Sequence, residues 1–189
     1  AVDGLCGPSC APGTVSAMPA IHRPHDTALR FATQFGSAPV PVGVALAAGF
    51  TEGQVRAALQ RGLLVRSRHG VIQLVDTVAG HDPRPDWLAM RLRHIDAVRA
   101  ALAAVGPGAF ATYDSAALVI DCPRAVTTEP THVSLCIPGV PDYTGPGLVV
   151  RGSPISDRFV TVVDGIPTTD VRRTAVDLAR GRSLWSALT

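Results

Sequence analysis

The chain has 189 residues, of which 47% are hydrophobic, enough for a packed core in one ordinary domain or two small ones. This composition excludes a disordered chain as the default, and no apolar run reaches the roughly 20 residues that span a bilayer. Because the N-terminus also lacks a basic segment followed by an apolar core, we expect a cytoplasmic protein with no membrane partner. The formal net charge is only +2, so the position of the charges is more informative than their total.

The spacing of the four cysteines does not favour a metal site. Cys6 and Cys10 lie in a leader rich in Ala, Gly, Pro and Ser, where no predicted helix or strand would hold a zinc ion with the two downstream histidines. Cys122 and Cys136 are interpreted as small buried hydrophobes. We therefore expect no metal and no cofactor, and we interpret residues 1–24 as a flexible arm.

Three helices and a hairpin are predicted within residues 25–80, and these are the elements of a compact winged helix-turn-helix. The first helix is amphipathic, and the second is predicted over Val40–Ala48 with Pro41 in its first turn, where proline is tolerated. Thr51 is placed to cap the third helix, and Gly62 is placed to end it. A basic hairpin follows directly.

The third helix and the hairpin carry the strongest functional pattern. Apolar and small residues recur at helical spacing on one face, and the opposite face carries polar and basic side chains. Four Arg and no acid occur between Arg56 and Arg68. A helix in front of a basic hairpin predicts duplex DNA binding. The bases would be read by Gln54, Arg56 and Gln60, and the phosphates held by Arg61, Arg66, Arg68 and His69.

The distribution of charge supports this interpretation. Residues 26–80 hold five Arg against three acids, whereas residues 81–189 hold eleven of each. The excess of positive charge therefore lies in the part that contains the predicted helix and hairpin, as expected for a surface that binds nucleic acid. The alternative is an amphipathic helix with a solvated basic face, followed by an ordinary hairpin.

A mixed α/β domain is predicted after a proline-rich linker at residues 81–86. Its first helix covers Trp87–Val105 and its second Ala109–Val119. Strands are predicted at Thr131–Ile137, Leu148–Arg151 and Phe159–Val163. A final helix is predicted over Asp170–Arg180, capped by Thr168 or Thr169, with Val171, Ala175 and Leu178 facing inward and Arg173 paired with Asp177. The complete prediction is an α+β chain, with an N-terminal winged helix-turn-helix and a smaller mixed α/β domain over residues 86–189.

Catalytic patterns are weak. The chain contains a single His132-x-Ser134 sequence on a predicted strand, whereas phosphoesterases of that type use two. Asp114 and Ser115 with His132 resemble a nucleophile and a base, but a chain of this length contains such residues by chance, and only geometry can support them. We therefore expect no catalytic residues and no enzymatic activity.

The order of four motifs resembles the AbiEi family antitoxins of type IV toxin–antitoxin systems, particularly their actinobacterial branch. The first motif is R-G-L-L-V-R-S-R-H-G-V-I at Arg61–Ile72, and the second is G-P-G-A-x-x-T-x-x-S-A-A at Gly106–Ala117. T-H-V-S-L follows at Thr131–Leu135, and G-I-P-T-T-x-x-R-R-T-A-V-D-L-A at Gly165–Ala179. The last is the most specific, and the resemblance covers residues 26–189.

The resemblance implies an N-terminal domain that binds repeats in its own promoter and represses transcription, in a phage-defence system. It also implies a C-terminal domain that counteracts a nucleotidyltransferase-like toxin. Within the last motif, Arg173, Thr174 and Asp177 are interpreted as structural rather than functional. Members of this branch often continue into a nuclease-like domain, so the chain is also interpreted as a possible fragment of such a protein. A further alternative is a protein-interaction module without a toxin partner.

Overall fold

The computed structural model describes residues 24–75, 86–122 and 130–180, and in that part the chain is α+β with two sheets. The predicted arm before Pro24, the cysteine-containing leader, most of the predicted linker and the end of the chain after Arg180 lie outside the described residues. The elements fall into an N-terminal unit, residues 24–75, and a C-terminal unit, residues 86–180. The predicted α+β class is confirmed at this level.

The N-terminal unit is a set of three helices packed on one face of a small antiparallel sheet. Its strand order is β1-β3-β2. In chain order its elements are α1 (Pro24–Phe35), β1 (Val40–Pro41), α2 (Val42–Ala47), α3 (Glu52–Gln60), β2 (Leu64–Arg68) and β3 (Val71–Leu74).

The prediction of one helix over Val40–Ala48 was wrong at its start. The first two residues form β1, with Val40 opposite Ile72 in the neighbouring strand. Pro41 has no N–H to donate, so it fits an edge strand of this sheet. The helix begins only at Val42. The pattern of apolar residues is the same in both interpretations, which is why periodicity did not separate them.

An aromatic cluster forms the centre of the N-terminal unit. The rings of Phe31, Phe35 and Phe50 lie with centroids 5.0 to 6.1 Å apart, at tilted and edge-on angles that favour aromatic packing. The hairpin adds Leu64 and Ile72, which are 2% and 0% exposed. This cluster fixes α1 and α3 against the hairpin, so α3 presents only its opposite face to solvent.

The C-terminal unit contains the second sheet, with strand order β6-β7-β5-β4-β9-β8 and helices on both faces. In the described part it is the larger unit, so the prediction of a smaller second domain was wrong. Its elements are α4 (Asp86–Val105), β4 (Phe110–Ala111), α5 (Tyr113–Val119), β5 (Val133–Cys136), β6 (Tyr143–Gly145), β7 (Leu148–Arg151), β8 (Val160–Val163), β9 (Ile166–Thr169) and α6 (Val171–Arg180).

Two element boundaries predicted for this unit were wrong. The segment expected to be one helix over Ala109–Val119 begins as strand β4, because Phe110 and Ala111 pair with β5 in the middle of the sheet. Thr168 and Thr169, expected to cap the last helix, belong to strand β9. The first turn of α6 is instead held by Asp170, whose carboxylate accepts the backbone N–H of Arg173 at 2.7 Å.

Helix α6 turns polar side chains inward, contrary to the sequence prediction. Thr174 and Asp177 are 0% and 1% exposed, whereas Val171 is 58% exposed and Ala175 is also exposed. The hydroxyls of Thr169 and Thr174 lie 2.8 Å apart, so the buried threonine is hydrogen-bonded to strand β9. Hydrogen bonding therefore determines which face of this helix is buried.

Helix α4 connects the two units in space. It contacts all three strands of the N-terminal sheet, on the face opposite the aromatic cluster. Val71, which alternates with Ile72 along β3, is 1% exposed and lies on this second face. The hairpin is therefore held between the helices of its own unit and α4, which restricts its movement.

Candidate nucleic-acid interface

Helix α3 begins with a reciprocal pair of hydrogen bonds. The Thr51 hydroxyl accepts the backbone N–H of Gln54 at 3.2 Å, and the Gln54 Oε1 accepts the backbone N–H of Thr51 at 2.9 Å. This capping box satisfies two amides that a helix start otherwise leaves unpaired. The predicted cap is confirmed, and the Gln54 side chain is engaged at the helix start rather than directed away from it.

Arg30 of α1 secures the turn between α2 and α3. Its Nη2 donates to the carbonyl of Ala48 at 3.1 Å, and its guanidinium carbon lies 4.2 Å from the centroid of the Phe50 ring. Gly49 has a φ of +88°, and a β-carbon there would lie 3.2 Å from the guanidinium. The turn therefore suits glycine for its backbone conformation and for this close approach. Sequence reasoning missed this contact.

We expect Arg30→Ala to lower the free energy of unfolding by about 1 kcal/mol, because one hydrogen bond and one exposed cation–π contact are lost. Chemical denaturation measures this change. Arg61→Ala is the matched control, because Arg61 is exposed and its side chain forms no hydrogen bond or ion pair with another described residue, and we expect its effect to stay within ~0.5 kcal/mol. Equal losses in the two variants would show that Arg30 does not secure the turn.

The outward face of α3 carries two of the three predicted base-reading residues, because the Gln54 side chain is held in the helix cap. Arg56 and Gln60 are exposed there, and Arg61 is exposed directly after the helix. A β-carbon on Gly53 would meet only the Thr51 hydroxyl, at 4.0 Å, so the surface around it is open. Among the described residues none forms an ion pair or a side-chain hydrogen bond with the two arginines. This face can therefore approach a groove without breaking internal contacts.

A bulge in the hairpin separates two arginines that the sequence placed together. The register pairs Arg66 with Ile72 but Arg68 with Val71, so Ser67 is an extra residue in β2. Cross-strand partners share a face of the sheet. Arg66 therefore lies on the same side as α3, and Arg68 lies on the side of α4.

Arg68 is bound to the C-terminal unit. Its Nη2 donates to the carbonyl of Gly147 in the turn between β6 and β7, at 2.9 Å. The guanidinium is half-buried, and this burial lowers the pKa of Arg68 below its ordinary value. Of the four arginines predicted to bind DNA, Arg68 is the one with a hydrogen bond to another residue in the described part of the chain.

The hairpin tip lies beside a cleft of about 490 Å³ between the two units. Ser67, Arg68 and His69 line one side of this cleft, and Tyr143 with the β6–β7 turn lines the other. His69 is exposed. His69 therefore lies near the C-terminal unit, at the end of the hairpin that is farther from α3.

The residues considered for catalysis do not form a nucleophile–base pair. The Ser115 hydroxyl lies 2.9 Å from Nε2 of His94 and accepts the backbone N–H of Ser134 at 2.9 Å. His94 and Ser115 are 3% and 0% exposed, so a substrate has no access to them. His132, the histidine considered from the sequence, is exposed and contacts Thr131 instead. The buried hydrogen bonds of Ser115, to His94 and to the backbone of Ser134, therefore tie α4, α5 and β5 together.

The Arg173–Asp177 pair of the last motif forms a partly buried contact within α6. Arg173 Nε donates to the Asp177 carboxylate at 2.8 Å, and the carboxylate side chain is 2% exposed. Cys136 lies nearby under α6. Burial raises the pKa of the Cys136 thiol to about 11, with a smaller opposing effect of Arg173. The thiol is therefore protonated at neutral pH, which fits the predicted buried hydrophobe.

Asp142 secures the start of β6, which is the edge strand of the C-terminal sheet opposite β8. Its carboxylate accepts the backbone N–H of Gly152 at 2.8 Å and lies 3.4 Å from Arg151. The backbone bond, with help from Arg151, lowers the pKa of Asp142 below its ordinary value. The stability that this carboxylate contributes is present at neutral pH and is lost as the pH falls through the lowered pKa.

A scan against models of known protein families finds no match to the chain, and a search of curated proteins finds no significant relative. None of the helices in residues 24–75, 86–122 and 130–180 has both the length and the apolar character that crossing a bilayer requires. Within the same residues, potential metal ligands do not gather in groups of three or more.

Proposed function

We propose that the N-terminal unit is a winged helix that binds duplex DNA, and that the protein is a cytoplasmic transcriptional regulator of its own promoter. The observation that carries this proposal is the open basic face of α3, formed by Arg56, Gln60 and Arg61 beside the hairpin. Arginine and glutamine can bond base edges bidentately in the major groove, and further arginines bind phosphates.

The order of elements supports the same proposal. Two helices joined by a short turn, α2 and α3, are followed by one pair of strands, so α3 lies directly before β2 and β3 in the chain. In helix-turn-helix proteins the second helix of the motif enters the major groove, and here that helix is α3. Arg66 lies on the same side of the sheet, so it can contact the backbone beside the groove.

Two hairpin arginines provide the test. We expect Arg66→Ala to weaken binding to promoter and unrelated duplexes alike, and to make the slope of log K against log salt shallower by about 0.9, because one phosphate contact is lost. Arg68→Ala is the matched comparison. Because Arg68 donates to Gly147, we expect its loss to leave the slope nearly unchanged.

Fluorescence anisotropy with a labelled promoter duplex, repeated over a series of salt concentrations, measures both slopes. An unchanged slope for Arg66→Ala would remove the hairpin from the proposed interface. A reduced slope for Arg68→Ala would show that the guanidinium leaves Gly147 to reach a phosphate.

We further propose that the protein is the antitoxin of a type IV toxin–antitoxin pair, with the C-terminal unit counteracting a nucleotidyltransferase-like toxin. The support is the order of sequence motifs, from the hairpin at Arg61–Ile72 to the segment at Gly165–Ala179. Co-expression tests it: the chain should restore growth to cells that express the toxin gene adjacent to its own. Continued growth arrest at matched expression of both proteins would contradict the antitoxin role.

A further inference from the structure

Among the described residues, strand β8 is an edge of the C-terminal sheet, and no other described element covers its outer side by strand pairing. Within the described part of the chain it bonds only to β9. Its four residues, Val160–Val163, include no charge and no proline, which are the side chains that natural edge strands use to prevent association. Val162 is 66% exposed, so its side chain is largely open to solvent.

The backbone groups of β8 that point away from β9 can be assigned from the hairpin. Asp164 and Gly165 form a two-residue turn with φ of 49° and 76°, which makes the flanking Val163–Ile166 pair a hydrogen-bonded one. Along β8, residues whose backbone groups bond to β9 then alternate with residues whose backbone groups point away from it. The Asp170 N–H donates to the carbonyl of Phe159 at 2.8 Å, which is the bond that this alternation requires.

Val160 and Val162 therefore direct their backbone groups outward. The N–H of Val160 is bonded to Asp157, which leaves the Val160 carbonyl and both backbone groups of Val162 without a partner among the described residues. Pro167 lies opposite Val162 and has no N–H, which fits a position that makes no bond between β8 and β9.

We propose that β8 pairs antiparallel with β8 of a second copy of this chain, with Thr161 on the two-fold axis. Only residues that point outward can bond across the new interface, and this register places Val160 of one copy opposite Val162 of the other. Two symmetry-related bonds then form, from the N–H of Val162 to the carbonyl of Val160. The two sheets join into one continuous sheet of twelve strands.

The side chains favour a second copy in this register. Arg158 lies just before the strand and Asp164 just after it, so the antiparallel arrangement brings the arginine of each copy to the same end of the interface as the aspartate of the other. Val160 and Val162 project toward the α6 side of the sheet, because their β9 partners include Thr169, which contacts that helix. Exposed Val171 begins α6 two residues after Thr169 and extends the apolar surface on that side.

The mass of the chain in solution tests this dimer. In analytical ultracentrifugation at micromolar protein concentration, we expect a mass twice the 19.6 kDa of one chain. Val162→Lys should give a monomer, because it places a charge in the apolar contact. Val140→Lys is the matched control, since Val140 is also exposed but lies between β5 and β6, and it should remain dimeric. A wild-type monomer, or loss of the dimer in both variants, would overturn the proposal.

A cysteine on the axis tests the register even if Val162→Lys fails to fold. Thr161→Cys, in a background with Cys6, Cys10 and Cys122 changed to Ser, should crosslink two chains on mild oxidation. The two cysteines would form a non-hydrogen-bonded pair, whose α-carbons lie roughly 4.5 Å apart, within disulfide range. Thr144→Cys on β6, the opposite edge strand, is the control and should not crosslink. Crosslinking of the control alone, or of neither variant, would overturn the register.

Discussion

Replacement of Arg173 by Ala is expected to lower the free energy of unfolding by about 3 kcal/mol, because it leaves a buried carboxylate without its partner. Asp177 is 1% exposed, and one of its oxygens has no hydrogen-bond partner among the described residues. The other accepts from Arg173 at 2.8 Å. We place the loss at the lower end of the range for buried pairs, because the Arg173 side chain itself is 22% exposed.

Arg172→Ala is the matched control, since this arginine is the neighbouring residue on α6 and is exposed. Its effect should stay within ~0.5 kcal/mol. Urea denaturation at neutral pH measures both variants. A loss of less than ~1 kcal/mol for Arg173→Ala would show that solvent reaches Asp177 and that the motif does not act as a structural contact.

Replacement of Arg56 by Ala is expected to lower affinity for the promoter by roughly 10- to 100-fold, because one bidentate base contact contributes about 1–3 kcal/mol of discrimination. The loss should be much smaller on unrelated duplexes, where no base is read. Gln60→Ala should act in the same direction and relax sequence preference. Anisotropy titrations with the promoter duplex and with a scrambled duplex of equal length measure the ratio.

Arg172→Ala is again the control, because it removes the same charge from the C-terminal unit. Its affinity for both duplexes should remain close to that of the wild type. If Arg56→Ala weakened binding to both duplexes equally, Arg56 would contact phosphates rather than bases. Unchanged binding to both would remove the exposed face of α3 from the interface.

The sequence predicted the elements whose pattern is local. Thr51 is a typical capping residue, and the face with Val55 and Ala58 repeats at helical spacing, so α3 was predicted correctly. The Arg173–Asp177 pair was also predicted, because its spacing on a helix brings the side chains together. In both cases the interacting groups lie within four residues of each other.

Features that depend on distant contacts were missed or wrong. β1 and β4 are two-residue strands that exist only because a distant strand pairs with them. The bulge at Ser67 moves Arg68 to the other face of the sheet, and the sequence of β2 contains no pattern that predicts a bulge. The inward face of α6 was predicted from hydrophobicity, whereas Thr174 is buried by its hydrogen bond to Thr169. Burial of polar groups follows the available partners, and these are not visible in a local pattern.

The central claim is that α3 and the hairpin bind duplex DNA through three arginines, and the salt dependence of binding tests it most directly. The variant combines Arg56→Ala, Arg61→Ala and Arg66→Ala, all at exposed positions. Because Arg61 and Arg66 each neutralise a phosphate in this account, the slope of log K against log salt should become shallower by about 1.8. Loss of the Arg56 base contact should lower the affinity for the promoter further. A variant that binds the promoter duplex with the wild-type affinity and slope would contradict the claim.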